Sequence, residues 1–204
     1  MEPFVRRSHL IVSARDEAQV DMSWTHAADA VVLDLADSVP DVEKPRVRAN
    51  VKAAIPVAAR GGAEVFVSIN TELAYADIMA SAWPGLTGVV LTGAETAADV
   101  EAIATTLAVA EKERGIANGA LSIIVMLDSG KGVWNIRQII TASPRVCSVG
   151  LDEGHLCRHL GIVPTPAFDP FVYAKGRVII EGRAAKRQPE IGRASCRERV
   201  YVLV

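Results

Sequence analysis

Acidic side chains follow three of the apolar, β-branched segments of this chain, directly after the point where each segment ends. The first of these segments runs into Asp34 and Asp37, a later one runs into Asp128, and another runs into Asp152 and Glu153. Clustered carboxylates repel one another, so such a group either binds a hard cation or has raised pKa values. Mg²⁺ suits such a group because it takes one or two carboxylates and leaves positions for water and substrate oxygens, and Mn²⁺ is the alternative ion.

Six predicted β-strands, alternating with helices, would have to bring these carboxylates together. Strands of this spacing belong to βα repeats, which form a parallel sheet whose carboxyl ends meet at one edge. Two closures fit, an open doubly wound sheet or a (β/α)8 barrel, which needs about 250 residues. The predicted strands are residues 8–14, 30–35, 64–70, 88–92, 121–127 and 146–151; the predicted helices are 16–28, 42–60, 73–82, 97–115, 131–142, 154–160 and 172–186.

Several of the same residues also fit plain structural roles. Aspartate and serine after a strand often cap the next helix, which is an alternative for Asp37, Asp41 and Ser129. Glu95 begins a predicted helix, where the helix dipole favours an acid. His155 and His159 are four residues apart and with Asp152 or Cys157 would make a zinc site, although two histidines at this spacing are common by chance.

Composition excludes several classes of protein. The 204 residues suffice for one domain with a large core, and half of them are hydrophobic. The net charge of −2 gives no basic footprint for nucleic acid, and no apolar run has the roughly 18 residues that span a membrane. The first residues lack the apolar region of a secretion signal, and three cysteines make no disulfide framework. A cytoplasmic protein is therefore expected. No G-x-G-x-x-G follows the first strand, and Gly130–Lys131–Gly132 is not a phosphate-binding loop.

The last 15 residues differ in character from the rest of the chain. Residues 190–200 (EIGRASCRERV) resemble the translation of a common sequencing adapter. We therefore expect residues 1–189 to form the domain and residues 190–204 to be a non-native tail, in which Cys196 has no function. A genuine basic tail is the alternative, which coding sequence continuing through Cys196 in the source genome would establish.

Several segments, in order, resemble the citrate lyase β-subunit-like group of the HpcH/HpaI aldolase family. The resemblance spans residues 6–187 and rests on 31–48 (VVLDLADSVPDVEKPRVR), 64–70, 88–95, 126–135 (MLDSGKGVWN), 149–161 and 173–177. It implies a (β/α)8 TIM barrel of the phosphoenolpyruvate/pyruvate type, incomplete here because about six strands are present. It also implies a Mg²⁺-dependent carbon–carbon lyase that cleaves a 2- or 3-hydroxy acid, or its acyl-CoA thioester, through an enolate.

The resemblance also implies roles for individual residues. Asp128 would be the surest metal ligand and would also touch the substrate, and the second ligand would be His155 or one of Asp152 and Glu153. Asp34 and Asp37 would be catalytic, orienting metal-bound water or a base. Two further residues, Ser68 and Asn70, would line the substrate pocket, and Arg48 would support the loop after strand two. By analogy with the family, the protein would form a homo-oligomer.

The chain departs from the family pattern at five positions around this site. These are Asp128 in place of glutamate, His155 in place of aspartate, Ser68 in place of arginine, Ala36 in place of glutamate and Gly93 in place of lysine. Imidazole is a poor Mg²⁺ ligand, and serine cannot make the bidentate contact of arginine to a carboxylate. The alternative to a lyase is therefore a catalytically inactive or truncated homologue that acts as a binding or assembly subunit.

Overall fold

Seven parallel strands form an open half-barrel in the computed structural model, which describes residues 6–163, 165, 168–190, 192–194 and 200–203. The strands run in chain order across the sheet, and two short antiparallel strands extend it beyond the first strand. The strands are β1 (Ser8–Ser13), β2 (Ala30–Asp34), β3 (Glu64–Asn70), β4 (Gly88–Thr92), β5 (Ser122–Leu127), β6 (Val146–Leu151), β7 (Gln188–Glu190), β8 (Gly192–Ala194) and β9 (Val200–Leu203).

Helices cover the outer face of this sheet. They are α1 (Glu17–Met22), α2 (Lys44–Ala58), α3 (Ala74–Ser81), α4 (Ala97–Arg114), α5 (Gly130–Trp134), α6 (Ile136–Thr141), α7 (Glu153–Leu160) and α8 (Val172–Ala184). No helix in the described part of the chain is both long enough and apolar enough to cross a membrane. The larger hydrophobic core lies between helices and strands, and a small second core lines the inner face around Phe66 and Ile124.

The strands form where β-branched runs are buried on both faces. All five residues of β2 are buried, as expected for a central parallel strand covered on both sides. Gly88, at the start of β4, is required by close packing, because a Cβ atom there would lie 2.2 Å from the carbonyl oxygen of Ser122. Burial on both faces therefore accounts for the continuous apolar runs of these strands.

The predicted incomplete barrel is confirmed, with three differences in its elements. A seventh parallel strand, β7, was not predicted, because Gln188–Glu190 is short, polar and contains a proline. The single predicted helix over residues 131–142 is divided at Asn135 into α5 and α6. The helix predicted over 16–28 stops at Met22 and continues as a 3₁₀ turn, Ser23–His26.

Part of the predicted non-native tail contributes to the sheet. β9 pairs antiparallel with β1, and β8 pairs antiparallel with β9. A backbone ladder needs no particular side chains, so this pairing does not test the origin of residues 190–204, which remains a prediction. Cys196, residues 1–5 and three residues of the proline-rich loop (164, 166 and 167) lie outside the described residues.

Candidate active site

The carboxyl ends of β2 to β6 meet at one edge of the half-barrel, as the sequence predicts for a parallel sheet. In the strand register Asp34 lies opposite Ser68, and Asn70 lies opposite Thr92. The backbone N–H of Asp152 donates to the carbonyl oxygen of Leu127 at 2.8 Å, so the ends of β5 and β6 are adjacent. The candidate residues of separate segments are therefore neighbours at this edge.

Three side chains form a compact group here, which we name the acid–histidine cluster: Asp37, Asp152 and His155. One ligand atom from each lies within 4.8 Å of the others. The Nδ1 atom of His155 is 3.0 Å from Oδ2 of Asp152, and its Nε2 atom is 3.4 Å from Oδ2 of Asp37. The side chains are 40% (Asp37), 34% (His155) and 18% (Asp152) exposed, so solutes reach the cluster from solvent.

The start of α7 holds two members of the cluster in place. Asp152 is the N-cap residue of this helix, and its Oδ1 atom accepts the backbone N–H of His155 at 2.9 Å. This cap satisfies a helix N–H that would otherwise lack a partner and sets the direction of the first turn. The carboxylate of Asp152 therefore contacts both the backbone amide and the ring of His155, which fixes the position of the imidazole.

Asp128 is half-buried at the end of β5 and lies outside the acid–histidine cluster. Its Oδ2 atom accepts the backbone N–H of Gly93 at 2.8 Å. Burial raises the pKa of this carboxyl above its ordinary value, and the charge of Asp152 adds to the effect, whereas the Gly93 N–H and His155 oppose it. Asp128 is thus a carboxyl that holds a proton more readily than most, and its predicted metal role remains a prediction.

Asp34 is buried and bonds to the loop that follows it. Its Oδ1 atom accepts the backbone N–H groups of Ala36 and Asp37, at 2.9 and 3.3 Å, and its Oδ2 atom accepts that of Ser38 at 3.1 Å. These bonds hold the loop that carries Asp37 towards the cluster. They give Asp34 a positioning role, and its predicted catalytic role is untested.

Replacing Asp34 by alanine should lower the free energy of unfolding by about 1–3 kcal/mol, because buried N–H groups of the loop lose their acceptor. Asp34→Asn, which keeps one carbonyl acceptor, should cost less than the alanine variant. Urea unfolding followed by circular dichroism measures both changes. An alanine variant as stable as wild type would show that these bonds do not fix the loop.

Ser68, Asn70 and Glu153 occupy different surroundings. Ser68 is buried at the end of β3, and its carbonyl oxygen accepts the backbone N–H of Leu35. Asn70 uses its Oδ1 atom to accept the N–H of Leu73 at 3.1 Å, which shapes the turn before α3. Glu153 pairs with Lys175 of α8 at 3.0 Å and is not in the acid–histidine cluster. Of the two adjacent acids at 152 and 153, the structure brings only Asp152 into that group.

An open cleft of about 610 Å³ lies beside the loop after β2, and sequence reasoning missed it. Two of its lining residues are cationic, Arg15 and Arg46, and each pairs with Glu43, at 3.2 and 3.4 Å. The other lining residues are Ser13, Asp16, Glu17 and Ser38. No sequence motif marks these arginines, because one follows β1 and the other lies on α2.

Arg48 joins two helices in the structure. Its Nε atom donates to Oδ1 of Asp77 at 2.7 Å, which connects α2 to α3, and its support of the strand-two loop stays a prediction. Asp77 is fully buried, and burial raises its pKa although Arg48 and Lys44 lower it. An aspartate within an apolar helix gives no sequence signal for such a partner, which is why Asp77 was missed.

Comparisons with known proteins place the chain beside one family and several relatives. The model of the HpcH/HpaI aldolase/citrate lyase family matches residues 7–189. The citrate lyase subunit beta of Leuconostoc mesenteroides subsp. cremoris is 28% identical over 184 residues, which are 89% of this chain and 61% of that subunit. The L-malyl-CoA/beta-methylmalyl-CoA lyase of Cereibacter sphaeroides is 30% identical over 145 residues, 68% of this chain and 45% of that lyase. The chain thus spans less than two thirds of the length of these relatives.

A solved structure shares the fold. Protein CitE of Mycobacterium tuberculosis, in complex with magnesium and acetoacetate, superimposes with a TM-score of 0.72 and 21% sequence identity. The match covers 94% of this chain and 75% of that one. At this identity the likeness shows the fold alone, a half-barrel that is part of a TIM-barrel architecture. The chemistry has to be argued from the residues of the site.

Proposed function

Because the chain belongs to the HpcH/HpaI aldolase/citrate lyase family of carbon–carbon lyases, we propose that it cleaves a carbon–carbon bond in a 2- or 3-hydroxy acid or its acyl-CoA thioester. The main support is the convergence of the acid–histidine cluster and the half-buried Asp128 at the carboxyl ends of the strands. In TIM-barrel enzymes this end of the strands carries the catalytic residues.

The reaction requires a proton to be taken and returned. For a 3-hydroxyacyl substrate, a base removes the hydroxyl proton, the hydroxyl-bearing carbon becomes a carbonyl, and the bond electrons pass to the neighbouring carbon as an enolate. That carbon then takes up a proton. Asp128 is suited to both transfers, because its raised pKa makes it a stronger base than an ordinary carboxylate and a proton donor afterwards.

The cleft beside the loop after β2 offers groups for an anionic substrate. In the family pattern an arginine of strand three grips a carboxylate, and this chain has Ser68 there. Arg15 and Arg46 line the cleft, and both pair with Glu43. Guanidinium groups form strong paired hydrogen bonds with carboxylates and phosphates, so an anionic group of the substrate would take the place of the Glu43 carboxylate. We assign the two arginines to the carboxylate or the acyl-CoA phosphates of the substrate.

Mg²⁺, the ion implied by the resemblance and named in the M. tuberculosis CitE complex, does not fit the acid–histidine cluster well. Mg²⁺ prefers oxygen ligands in octahedral geometry. Here the imidazole of His155 lies between the carboxylates of Asp37 and Asp152, and Asp152 already contacts two nitrogens of that histidine. An ion bound by both carboxylates would displace these contacts, so no step of the reaction is assigned to Mg²⁺.

A substrate panel tests the proposal. The purified chain is incubated with malyl-CoA, β-methylmalyl-CoA, citryl-CoA, malate and citrate, each with Mg²⁺, Mn²⁺, Co²⁺, Zn²⁺ or a chelator. The carbonyl product is measured as its hydrazone. We expect turnover of at least one substrate. A folded protein that cleaves none of them with any ion would contradict a lyase of this substrate class.

A binding or assembly subunit without lyase activity is the second candidate. It is favoured by Ser68 and His155, which replace a substrate-binding arginine and a metal-binding aspartate of the family pattern. If activity was lost through these two changes, the double variant Ser68→Arg/His155→Asp should show metal-dependent turnover that wild type lacks. A well-folded double variant without turnover would argue against loss at these positions.

A further inference from the structure

We propose that Asp37 and His155 bind a borderline divalent cation of the zinc or cobalt type, with Asp152 as the residue that positions the imidazole. The inference rests on the proposed function in one respect, that the active site lies at the carboxyl ends of the strands, where this ion would bind. It departs from Mg²⁺ because imidazole nitrogen is a ligand that zinc and cobalt prefer and magnesium does not.

The two proposed ligand atoms are close enough to share one ion. Two atoms bound to one zinc ion at about 2.0–2.1 Å in tetrahedral geometry lie about 3.3–3.4 Å apart. Neighbouring ligands of an octahedral Mg²⁺ at about 2.1 Å lie about 3.0 Å apart. The Nε2 atom of His155 and the Oδ2 atom of Asp37 are separated by 3.4 Å, so one ion can contact both atoms after only a small movement of either side chain.

Asp152 prepares the imidazole to be a ligand. In the tautomer in which Nδ1 donates its proton to Oδ2 of Asp152, 3.0 Å away, the lone pair of Nε2 is left for an ion on the side of Asp37. A carboxylate, a histidine and a metal in this order are the usual arrangement around zinc, where the carboxylate fixes the tautomer and makes the imidazole a better donor. The N-cap bond to the His155 amide holds the carboxylate for this purpose.

The surroundings favour a catalytic ion over a closed structural one. Two protein ligands leave two tetrahedral positions for water or substrate oxygens, and catalytic sites differ from structural ones in keeping such positions open. The side chains of Asp37 and His155 are partly exposed, so an ion enters from solvent. The charge of Asp128, which interacts with both His155 and Asp152, adds negative potential at the site.

Direct binding measurements test the proposal without using activity. Zn²⁺, Co²⁺ and Mg²⁺ are titrated into chelator-treated protein by calorimetry, and the visible bands of bound Co²⁺ report four-coordinate geometry. His155→Ala should weaken Zn²⁺ binding by more than about 100-fold, since outer contacts alone cost about 10- to 100-fold. Asp152→Asn, which removes such an outer contact, should fall within that 10- to 100-fold range and keep a Co²⁺ spectrum.

Zinc binds most protein sites more tightly than magnesium does, so tight zinc binding alone says little about the ligands. The ratio of Zn²⁺ to Mg²⁺ affinity in matched variants is a sharper test. His155→Asp should lower the ratio of Zn²⁺ to Mg²⁺ affinity, since it replaces the imidazole with an oxygen ligand. His26→Asp makes the same change at an exposed histidine in the 3₁₀ turn after α1 and should leave the ratio unchanged. Thermal unfolding of each variant without metal checks that it is folded.

The outcomes separate this inference from the proposed function. Zn²⁺ and Co²⁺ binding that is lost in His155→Ala supports the inference, even if no substrate is cleaved. Wild-type protein that binds none of the three ions, or binds Zn²⁺ equally well in folded His155→Ala, overturns it. Mg²⁺-dependent cleavage in a His155→Ala variant that also binds Zn²⁺ as tightly as wild type would overturn the inference and leave the lyase proposal standing.

Discussion

Asp128→Asn should lower kcat/KM for carbon–carbon cleavage by about 10²–10⁴-fold, the range that general acid–base catalysis contributes. The amide cannot take the hydroxyl proton of the substrate, but its carbonyl oxygen still accepts the N–H of Gly93, so the loop after β4 keeps its contact. Steady-state kinetics with whichever substrate of the panel turns over gives the ratio. Equal kcat/KM in variant and wild type would remove Asp128 from the reaction.

The pH profile and a matched control distinguish proton transfer from general damage to the site. Because burial raises the pKa of Asp128, the acid limb of kcat/KM should lie above the ordinary value of 3.8 and should be absent from the residual activity of Asp128→Asn. Glu95→Gln changes another carboxylate at the same edge, one that pairs with Lys131 at 3.1 Å. It should leave both kcat/KM and the acid limb close to wild type.

Arg145→Met should lower the free energy of unfolding by about 3–5 kcal/mol, the cost of leaving a buried charge without its partner. Both terminal nitrogens of Arg145 donate to the carboxylate of Glu111 at 2.7 Å, and the N–H groups of Gly119 and Leu121 donate to the same carboxylate. Glu111 is fully buried. These residues lie at the amino ends of β5 and β6, opposite the candidate active site, so the effect is on stability. Urea unfolding measures it.

Two further variants serve as controls for the predicted loss of stability in Arg145→Met. Arg137→Met breaks an ion pair with Glu181 in which the arginine is 63% exposed, and should cost about 0–1 kcal/mol. The double variant Arg145→Met/Glu111→Leu should recover part of the loss, because it leaves no unpaired charge. An Arg145→Met variant no less stable than the Arg137 control would show that the pair contributes little.

The sign of the pH dependence follows from Glu111. Burial alone would raise the pKa of Glu111, but the hydrogen bonds from Arg145, Leu121 and Gly119 outweigh it and hold that pKa below its ordinary value of 4.5. The ionised carboxylate therefore stabilises the fold fully above the unfolded-state pKa, and this contribution is lost as the pH falls through the folded-state value. In Arg145→Met, acid should remove less stability than in wild type over the same range.

The sequence by itself determined β1 to β6 and the edge at which the acids meet. The predicted ranges 64–70 and 88–92 are those of β3 and β4. Such runs are readable because a strand buried on both faces must be continuously apolar, and parallel order follows from the alternation with helices. β7 and the break at Asn135 were not readable, because a short polar strand and a change of helix direction depend on neighbours that the local pattern does not contain.

Only the tertiary structure decided which acids come together and what each one bonds to. Asp34 and Asp37 look alike in sequence, yet one accepts three backbone amides of its loop and the other faces His155, which lies more than a hundred residues later. Of the adjacent acids at 152 and 153, the first caps α7 and contacts His155, and the second pairs with Lys175 of α8. Distances of 3–4 Å between remote segments depend on packing and capping, and spacing along the chain does not encode them.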